Sequence, residues 1–399
     1  MIALRERNFR LYWLGQAASN VGNWTQIVAI GWFVLQITGT PLALGFLGLA
    51  QSIPLFALSL VGGVLADRFP RLQILLVTQS AALVLALALA WLAWLGKPPL
   101  WSLLLVAALA ASVTSIDNPA RQAFLGDLVG KEILLNAVAL NATVYNGAAV
   151  IGPSLAGLLL IKVGAVGCFL LNAMSFLPVL VALFVIAADI SPRSVSLQQP
   201  KRKEHFPSIG FGSLRSEHAI LAVLAIASAT SLLGRPYLLL MPAFARAAQH
   251  VGAVELGIMV AASGAGSLLG SLLLASQRFL KRLEYMLLIC GVGFGLVLVF
   301  FALATSYVLA VCVLVLCGAG ATMTMTVANT LLQTYARAGM RGRVMSLYTL
   351  IAAGLTPLGT LLISAIAIWL QLSGATAAMG VGVIVAVVVG YRFLRIESA

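Results

Sequence analysis

Apolar runs of about twenty residues or more, separated by short charged or turn-rich breaks, make up most of this chain. A run of that length can cross a bilayer, and helix is the default there because lipid satisfies no backbone polar groups. The pattern predicts an all-α membrane protein with twelve transmembrane helices. The predicted helices cover 12–37, 43–66, 73–95, 99–121, 136–161, 165–188, 218–245, 254–276, 284–304, 307–332, 343–370 and 373–392.

The longest break divides the predicted helices six and six. It is polar, basic and rich in Pro and Ser, which is typical of a linker. We therefore expect an N-terminal six-helix bundle over 1–188, a cytoplasmic linker over 189–217 and a C-terminal six-helix bundle over 218–399.

Landmarks recur between the two halves at a nearly constant distance. Gly22 and Gly234 lie 212 residues apart, and Asn118 and Asn329 lie 211 apart. This offset indicates a duplicated six-helix unit, because two parallel six-helix repeats around a midplane site are a recurring transporter plan.

The charges set the expected orientation. The chain carries a formal net charge of +13, yet only 9% of its residues are charged. With the N terminus inside, 20 of the 24 Lys and Arg fall in inner segments. By the positive-inside rule, both termini are expected to be cytoplasmic. The first apolar segment continues to about Leu35 without a small-residue cleavage site, so we expect a retained span rather than a signal peptide.

Cysteine and histidine give no sign of a metal centre or a cofactor. The four cysteines fall inside predicted spans and are expected to pack as small apolar side chains, and the three histidines are scattered. An intramembrane enzyme would need clustered polar groups at depth, and a sensor would need a signalling domain. Both remain remote alternatives to transport, and we expect no enzyme.

A charged stretch, GVLADRFPR at 63–71, directly follows the second predicted span. It resembles the signature between helices 2 and 3 of the major facilitator superfamily, with Pro70 replacing a usual glycine and Leu72 a usual basic residue. Nearly the whole chain resembles a narrower branch, the enterobactin-exporter-like and macrolide-efflux-like permeases. The stretches that carry this resemblance are NFRLYWLGQAASNVGNWTQ, TGTPLALGFLGLAQSIP, GRPYLLLMPAFAR and RGRVMSLYTLIAAGLTPLG.

The resemblance implies a multi-pass permease of the bacterial inner membrane that works by alternating access. We expect a monomer, because the repeat closes the permeation unit within one chain. Its expected function is efflux of a small amphipathic or anionic compound, such as a siderophore or an antibiotic, in exchange for protons. Uptake of a nutrient, or flipping of a lysolipid, by the same fold are the alternatives.

Charged residues near the inner ends of helices 2 to 4 form a candidate inner gate. The resemblance implies that an aspartate and an arginine of this loop join a network that holds one conformation shut. Asp117 and Arg121 lie four apart and therefore share a helix face. The expected network is Asp67, Arg68, Arg71, Asp117 and Arg121. The alternative is a solvated inner loop.

Helix 5 contains AAVIGPSLAG, which resembles the antiporter motif of this superfamily at Ala148, Gly152, Pro153, Ala156 and Gly157. Small residues allow close approach of a neighbouring helix, and an internal proline removes a backbone donor and bends the helix. Packing alone is the alternative interpretation.

Polar residues inside the predicted spans are candidates for a substrate cavity, because polar side chains facing lipid would be costly. Gln16, Asn20, Asn23 and Gln26 are spaced four, three and three, so they form one stripe on helix 1. The alternative for this stripe is interhelical hydrogen bonding. The further candidates are Asn141, Tyr145, Tyr237, Met323, Met325, Thr326 and Asn329.

Arg235 falls near the middle of helix 7, where an arginine costs about 2.5–3.5 kcal/mol on insertion scales. A planar, permanently charged group favours carboxylate or catecholate anions. We expect a substrate or gating role, with a packing role on carbonyls or tyrosines as the alternative. No Asp or Glu falls at a predicted midplane, so the deepest acid, Asp117, is the proton-coupling candidate.

Overall fold

The computed structural model describes residues 2–130, 133–189, 218–248, 251–275, 283–336 and 340–398, and within these ranges it contains helices and no strand. The helices are α1 Arg7–Thr38, α2 Leu42–Arg68, α3 Arg71–Trp94, α4 Leu100–Leu128, α5 Leu134–Lys162, α6 Gly164–Asp189, α7 His218–Ala229, α8 Ala253–Ala275, α9 Leu283–Ala302, α10 Tyr307–Tyr335 and α11 Arg341–Ser398. The residues predicted as the linker lie almost wholly outside the described ranges.

Beyond its α-helical part, α7 continues as irregular helix. A π turn covers Thr230–Gly234, a 3₁₀ turn covers Arg235–Leu238, and a further short helix and π turn cover Met241–Ala243 and Phe244–Ala248. Pro236 and Pro242 interrupt the ordinary hydrogen-bond ladder here, because proline lacks the backbone donor. Arg235 therefore lies in a break between regular segments.

The helix α11 is 58 residues long but changes direction at Gln371, whose φ of 58° and ψ of 169° are not helical. This position falls between the two last predicted spans. Within the described ranges, nine helices are long and apolar enough to cross a membrane, and Val344–Leu394 of α11 counts as one of them. The structure is that of an integral membrane protein, and the count of twelve spans stays a prediction.

The described helices form two compact units. The first contains α1 up to Gly39, α2 from Ala50 onward, and α3 to α6. The second contains Thr40–Leu49 and the helices from α7 onward. Large apolar side chains remain exposed in both units, for example Val181 and Phe300, as expected for surfaces that face lipid.

Close packing inside each unit depends on small residues. In the first, Gly15 of α1 lies against the backbone of α6, where an added Cβ would be 3.0 Å from Val179 Cα. In the second, Gly318 of α10 lies directly on the carbonyl oxygen of Ser263 in α8. Such contacts between glycines and backbone are how membrane helices approach closely.

Candidate functional site

A buried ion pair lies on α4 in the first unit. Arg121 donates to Asp117 Oδ2 through Nη2 and, at 2.9 Å, through Nε. The other carboxylate oxygen, Oδ1, accepts from the Thr78 hydroxyl at 2.7 Å and from Gln79 Nε2 at 2.8 Å. Asp117 is 4% exposed, so its charge is held by donors from α3 and α4 rather than by water.

The same network reaches α1. Arg121 Nη1 donates to Gln16 Oε1, and Gln16 is 1% exposed. The Tyr12 ring packs edge-on against Phe124, with ring centroids 5.3 Å apart. Three helices of the first unit are thus joined by one buried polar cluster, which sequence spacing predicted only for its Asp117–Arg121 pair.

The expected gate residues separate into two places. Arg71 Nη1 donates to Asp127 Oδ1 at 2.6 Å, so Arg71 is paired with Asp127 rather than with Asp117. Asp127 is ten residues beyond Asp117 on α4, or about 15 Å along the helix axis. Arg68 is exposed, and the side chain of Asp67 is not among the described atoms. The gating role of these residues stays a prediction.

The polar stripe of α1 is engaged within the first unit. Gln26 Oε1 accepts from Asn172 Nδ2 of α6 at 2.8 Å, and Asn20 Nδ2 donates to the backbone oxygen of Gln16 at 2.8 Å. Asn23 is half-buried. Gln16 and Gln26 therefore make interhelical hydrogen bonds, the alternative interpretation of the stripe, and cavity lining stays a prediction.

The small residues of α5 face α1. A Cβ at Gly152 would meet Trp24 Cβ at 2.5 Å and Val21 O at 2.9 Å, and the Thr25 hydroxyl donates to Gly152 O at 3.1 Å. Pro153 lies within the continuous helix α5. Ala148, Gly152, Pro153, Ala156 and Gly157 are all buried. Close helix approach at this motif is an observed property, whereas an antiporter role stays a prediction.

The two other candidates on α5, Asn141 and Tyr145, differ in exposure. Asn141 is half-buried, and Tyr145 is 54% exposed with its ring centroid 5.9 Å from that of Trp24.

Arg235 is the notable charge of the second unit. It is half-buried in the 3₁₀ turn that interrupts α7, and its Nη1 donates to the backbone oxygen of Ala352 in α11 at 3.2 Å. Among the described residues, no Asp or Glu pairs with this guanidinium. Its positive charge is therefore balanced by a carbonyl dipole alone within the described part of the unit.

Two tyrosines are buried in the same unit as Arg235, Tyr237 and Tyr348. The Tyr237 hydroxyl is 2.8 Å from Ser263 Oγ and is buried, so it is a packing partner in this unit. The Tyr348 hydroxyl donates to Met325 O at 2.9 Å. Sequence reasoning missed Tyr348, although a tyrosine inside an apolar span is itself a signal.

The α10 candidates differ in exposure. Met325 is buried, Met323 is half-buried and Thr326 is exposed. Asn329 Oδ1 accepts from Gln333 Nε2 at 2.5 Å.

The profile of one protein family, described as transmembrane secretion effector, matches residues 1–398 of this chain. The chain belongs to this family of the major facilitator superfamily. The proteins that this chain resembles are transporters rather than enzymes. The expected resemblance of this chain to siderophore-exporter-like permeases is confirmed.

Individual relatives are distant. The chain is 28% identical to the staphyloferrin A transporter of Staphylococcus aureus over 157 residues, which are 39% of this chain and 40% of that protein. It is 26% identical to the enterobactin exporter EntS of Shigella flexneri over 290 residues, 73% of this chain and 68% of that one. For the two first relatives, the match thus spans less than half of their length.

Solved structures agree in fold. The nucleoside transporter NupG aligns with a TM-score of 0.79 at 11% identity, over 98% of this chain and 99% of that chain. A bacterial homologue of the iron transporter ferroportin aligns with a TM-score of 0.74 at 18% identity, again over 98% and 99%. At these identities, the likeness concerns the fold alone.

Proposed function

We propose that this protein exports a small anionic, amphipathic compound of the siderophore type across the bacterial inner membrane. It works as a monomer, by alternating access, and exchanges the compound for protons. Both chain termini are cytoplasmic in this proposal, and the two six-helix bundles are related as repeats.

The observation that carries the proposal is the state of Arg235. Burying an arginine at membrane depth is costly, and such residues usually face a partner, a cavity or a substrate pathway. Within the described part of the second unit, its only hydrogen bond is to the neutral carbonyl of Ala352. A carboxylate or catecholate ligand would supply the missing negative charge and match the planar guanidinium with paired hydrogen bonds.

The names of two relatives support the same substrate class. One is an enterobactin exporter and the other a staphyloferrin A transporter, although each is distant in sequence. The first of these names and the small-residue motif in α5 support export over uptake. Flipping of a lysolipid is the competing function with the same fold.

Proteoliposomes with a trapped pH dye test the proposal. With an acidic lumen, adding a catecholate or carboxylate siderophore outside should raise the lumenal pH, because each entering molecule is exchanged for protons. Arg235→Gln should abolish the signal. Arg392→Gln is the matched control, since Arg392 is exposed at the end of α11 in the same unit and should leave the signal unchanged.

The same panel contains macrolides, organic cations and a lysolipid. Siderophore movement without a dye signal would contradict proton exchange, and responses confined to cations or to the lysolipid would contradict the substrate class. Everted membrane vesicles settle direction: accumulation in these, and not in right-side-out vesicles, is expected for an exporter, and the reverse would indicate uptake.

A further inference from the structure

The two oxygens of the Asp117 carboxylate have different kinds of partner. Among the described residues, Oδ2 accepts hydrogen bonds from Arg121 alone, through Nε and Nη2. Oδ1 is bound by the Thr78 hydroxyl and the Gln79 amide. A guanidinium can only donate hydrogen bonds, whereas a hydroxyl and a carboxamide can both donate and accept. Among the described residues, therefore, a hydrogen-bond acceptor for a protonated carboxyl group is present at Oδ1 and not at Oδ2.

Thr78 already has the geometry for this second arrangement. Its Oγ1 is 2.7 Å from Asp117 Oδ1 and 3.2 Å from Leu75 O. One hydroxyl has a single hydrogen, so it serves one of these two acceptors at a time. If the hydrogen turns toward Leu75 O, the Thr78 lone pairs face Asp117 without movement of any heavy atom.

Gln79 supplies a second acceptor. Its Nε2 donates to Asp117, while its Oε1 is buried and has no hydrogen-bond partner among the described residues. An unsatisfied buried acceptor costs about 1–3 kcal/mol, so its retention needs a reason. Rotation of the amide by half a turn would bring this oxygen to face Asp117 Oδ1.

Two titratable side chains of the described residues lie in the same cluster as Asp117. Arg121 on the same helix is its ion-pair partner, and the buried ring of Tyr12 on α1 packs on Phe124 of α4. From α3 the neighbours are Thr78 and Gln79. From α2, Gly62 packs on Ser115 and Ile116, and the side chain of the aspartate at 67 is not described.

We propose that Asp117 Oδ1 is the atom that takes up the transported proton, and that Thr78 and Gln79 are positioning residues whose oxygens accept the hydrogen bond of the new carboxyl O–H. This inference rests on the proton exchange of the proposed function. A hydronium ion gives one proton to Oδ1 and leaves as water. The Thr78 hydrogen turns to Leu75 O, the Gln79 amide rotates, and the single new O–H is shared between the Thr78 and Gln79 oxygens. The Asp117–Arg121 pair then changes from zero to +1 in charge, and Arg121 keeps Gln16 Oε1 as its acceptor.

Infrared spectroscopy of the detergent-solubilised protein during a pH titration tests this without any substrate. We expect a carboxylic-acid C=O band that appears on acidification and is absent in Asp117→Asn. In Thr78→Val and in Gln79→Met, the band should move to higher wavenumber, because the carboxyl O–H loses an acceptor. Thr78→Ser keeps the hydroxyl and should restore the original frequency.

Thr143→Val is the matched control, since the exposed Thr143 bonds to Ala139 O of its own helix. The inference is overturned if no titrating band depends on Asp117, or if Thr78→Val and Gln79→Met leave its frequency unchanged. Thr78→Ser and Asp117→Asn preserve shape, so the titration remains readable even where a larger change prevents folding. Proton exchange in liposomes without this band would leave the proposed function standing and remove only the inference.

Discussion

The positive charges of Arg121 in the first unit and Arg235 in the second are compensated in different ways. In the first, Arg121 is held by Asp117 on its own helix and by Gln16 on α1, so the charge is compensated internally. In the second, Arg235 lies in an irregular segment and donates to the carbonyl of Ala352. The first arrangement needs nothing from outside the unit, whereas the second leaves a charge for a ligand to complete.

The sequence offset strengthens this contrast. At 211 residues beyond Asp117 and Arg121 stand Ala328 and Leu332, both buried. At 212 residues before Arg235 stands Asn23. If the units are repeats, each of these charges is present in one half and absent at the equivalent position of the other, so the proposed proton and anion sites belong to different halves.

The largest effect is expected from breaking the buried pair. Asp117→Leu leaves Arg121 without its counter-ion and should lower the free energy of unfolding by about 3–5 kcal/mol. Adding Arg121→Leu should recover much of the loss, because two apolar residues replace the pair. Thermal unfolding in detergent measures both. Equal melting temperatures for the wild type and Asp117→Leu would contradict internal compensation.

Removing the lone arginine should change binding rather than folding. Arg235→Met leaves no buried counter-ion behind among the described residues, so the melting temperature should fall little. Affinity for an anionic siderophore should fall by about 2–5 kcal/mol, the range for truncating one partner of a buried charge pair. Titration calorimetry measures the affinity. A large fall in melting temperature with unchanged affinity would show that Arg235 stabilises the fold and does not bind the siderophore.

A third prediction concerns Gly359 of α11, which packs against the irregular segment that follows α7. A methyl group at Gly359 would overlap the carbonyl oxygen of Leu232 and lie 2.7 Å from Pro236 Cγ. Gly359→Ala should therefore cost about 1–3 kcal/mol as overpacking. It should also weaken siderophore binding, measured by the same calorimetry, since it displaces the segment that carries Arg235.

Two controls accompany that substitution. Gly152→Ala crowds α1 in the first unit and should reduce stability without weakening siderophore binding. At Gly293 an added Cβ meets nothing within 4 Å, so Gly293→Ala should gain up to about 1 kcal/mol of helix propensity. Weaker siderophore binding in Gly152→Ala, or unchanged binding in Gly359→Ala, would show that binding does not depend on the position of the irregular segment that carries Arg235.

The smallest effects are expected at the helix ends, where the units resemble each other. Arg71 at the start of α3 pairs with Asp127, and Tyr335 at the end of α10 donates to Glu284 Oε1 at 2.6 Å. The Arg71 and Asp127 side chains are 27% and 26% exposed. Arg71→Gln should cost at most about 1 kcal/mol, and less in high salt. Tyr335→Phe, with a partly buried neutral donor, should show no salt dependence when both melting curves are repeated across a salt series.

Features that depend on local period and hydropathy were predictable from the sequence. Long apolar runs indicated the all-helical membrane fold, and the break at Gln371 falls between two predicted spans. The four-residue spacing predicted that Asp117 and Arg121 share a face, and the structure shows them paired. Each of these inferences uses residues close together along the chain.

Contacts between distant segments escaped the sequence. Nothing in the spacing indicates that Thr78 and Gln79 bind Asp117, or that Asn172 binds Gln26, because these pairs depend on how helices rotate against each other. Arg71 was assigned to a network with Asp117 by resemblance, yet its partner is Asp127. The distance between Asp117 and Asp127 along the axis of α4 decides which of them Arg71 reaches, and a sequence motif does not encode that distance.

The charge that Arg235 leaves for an anionic ligand can be measured directly by binding. The experiment compares the dissociation constants of a carboxylate siderophore and of its uncharged methyl ester, for the wild type, Arg235→Gln and Arg392→Gln. We expect the wild type and Arg392→Gln to prefer the anion by tenfold or more, about 1.4 kcal/mol, and Arg235→Gln to lose this preference. An equal preference in all three proteins would show that Arg235 does not hold the anion.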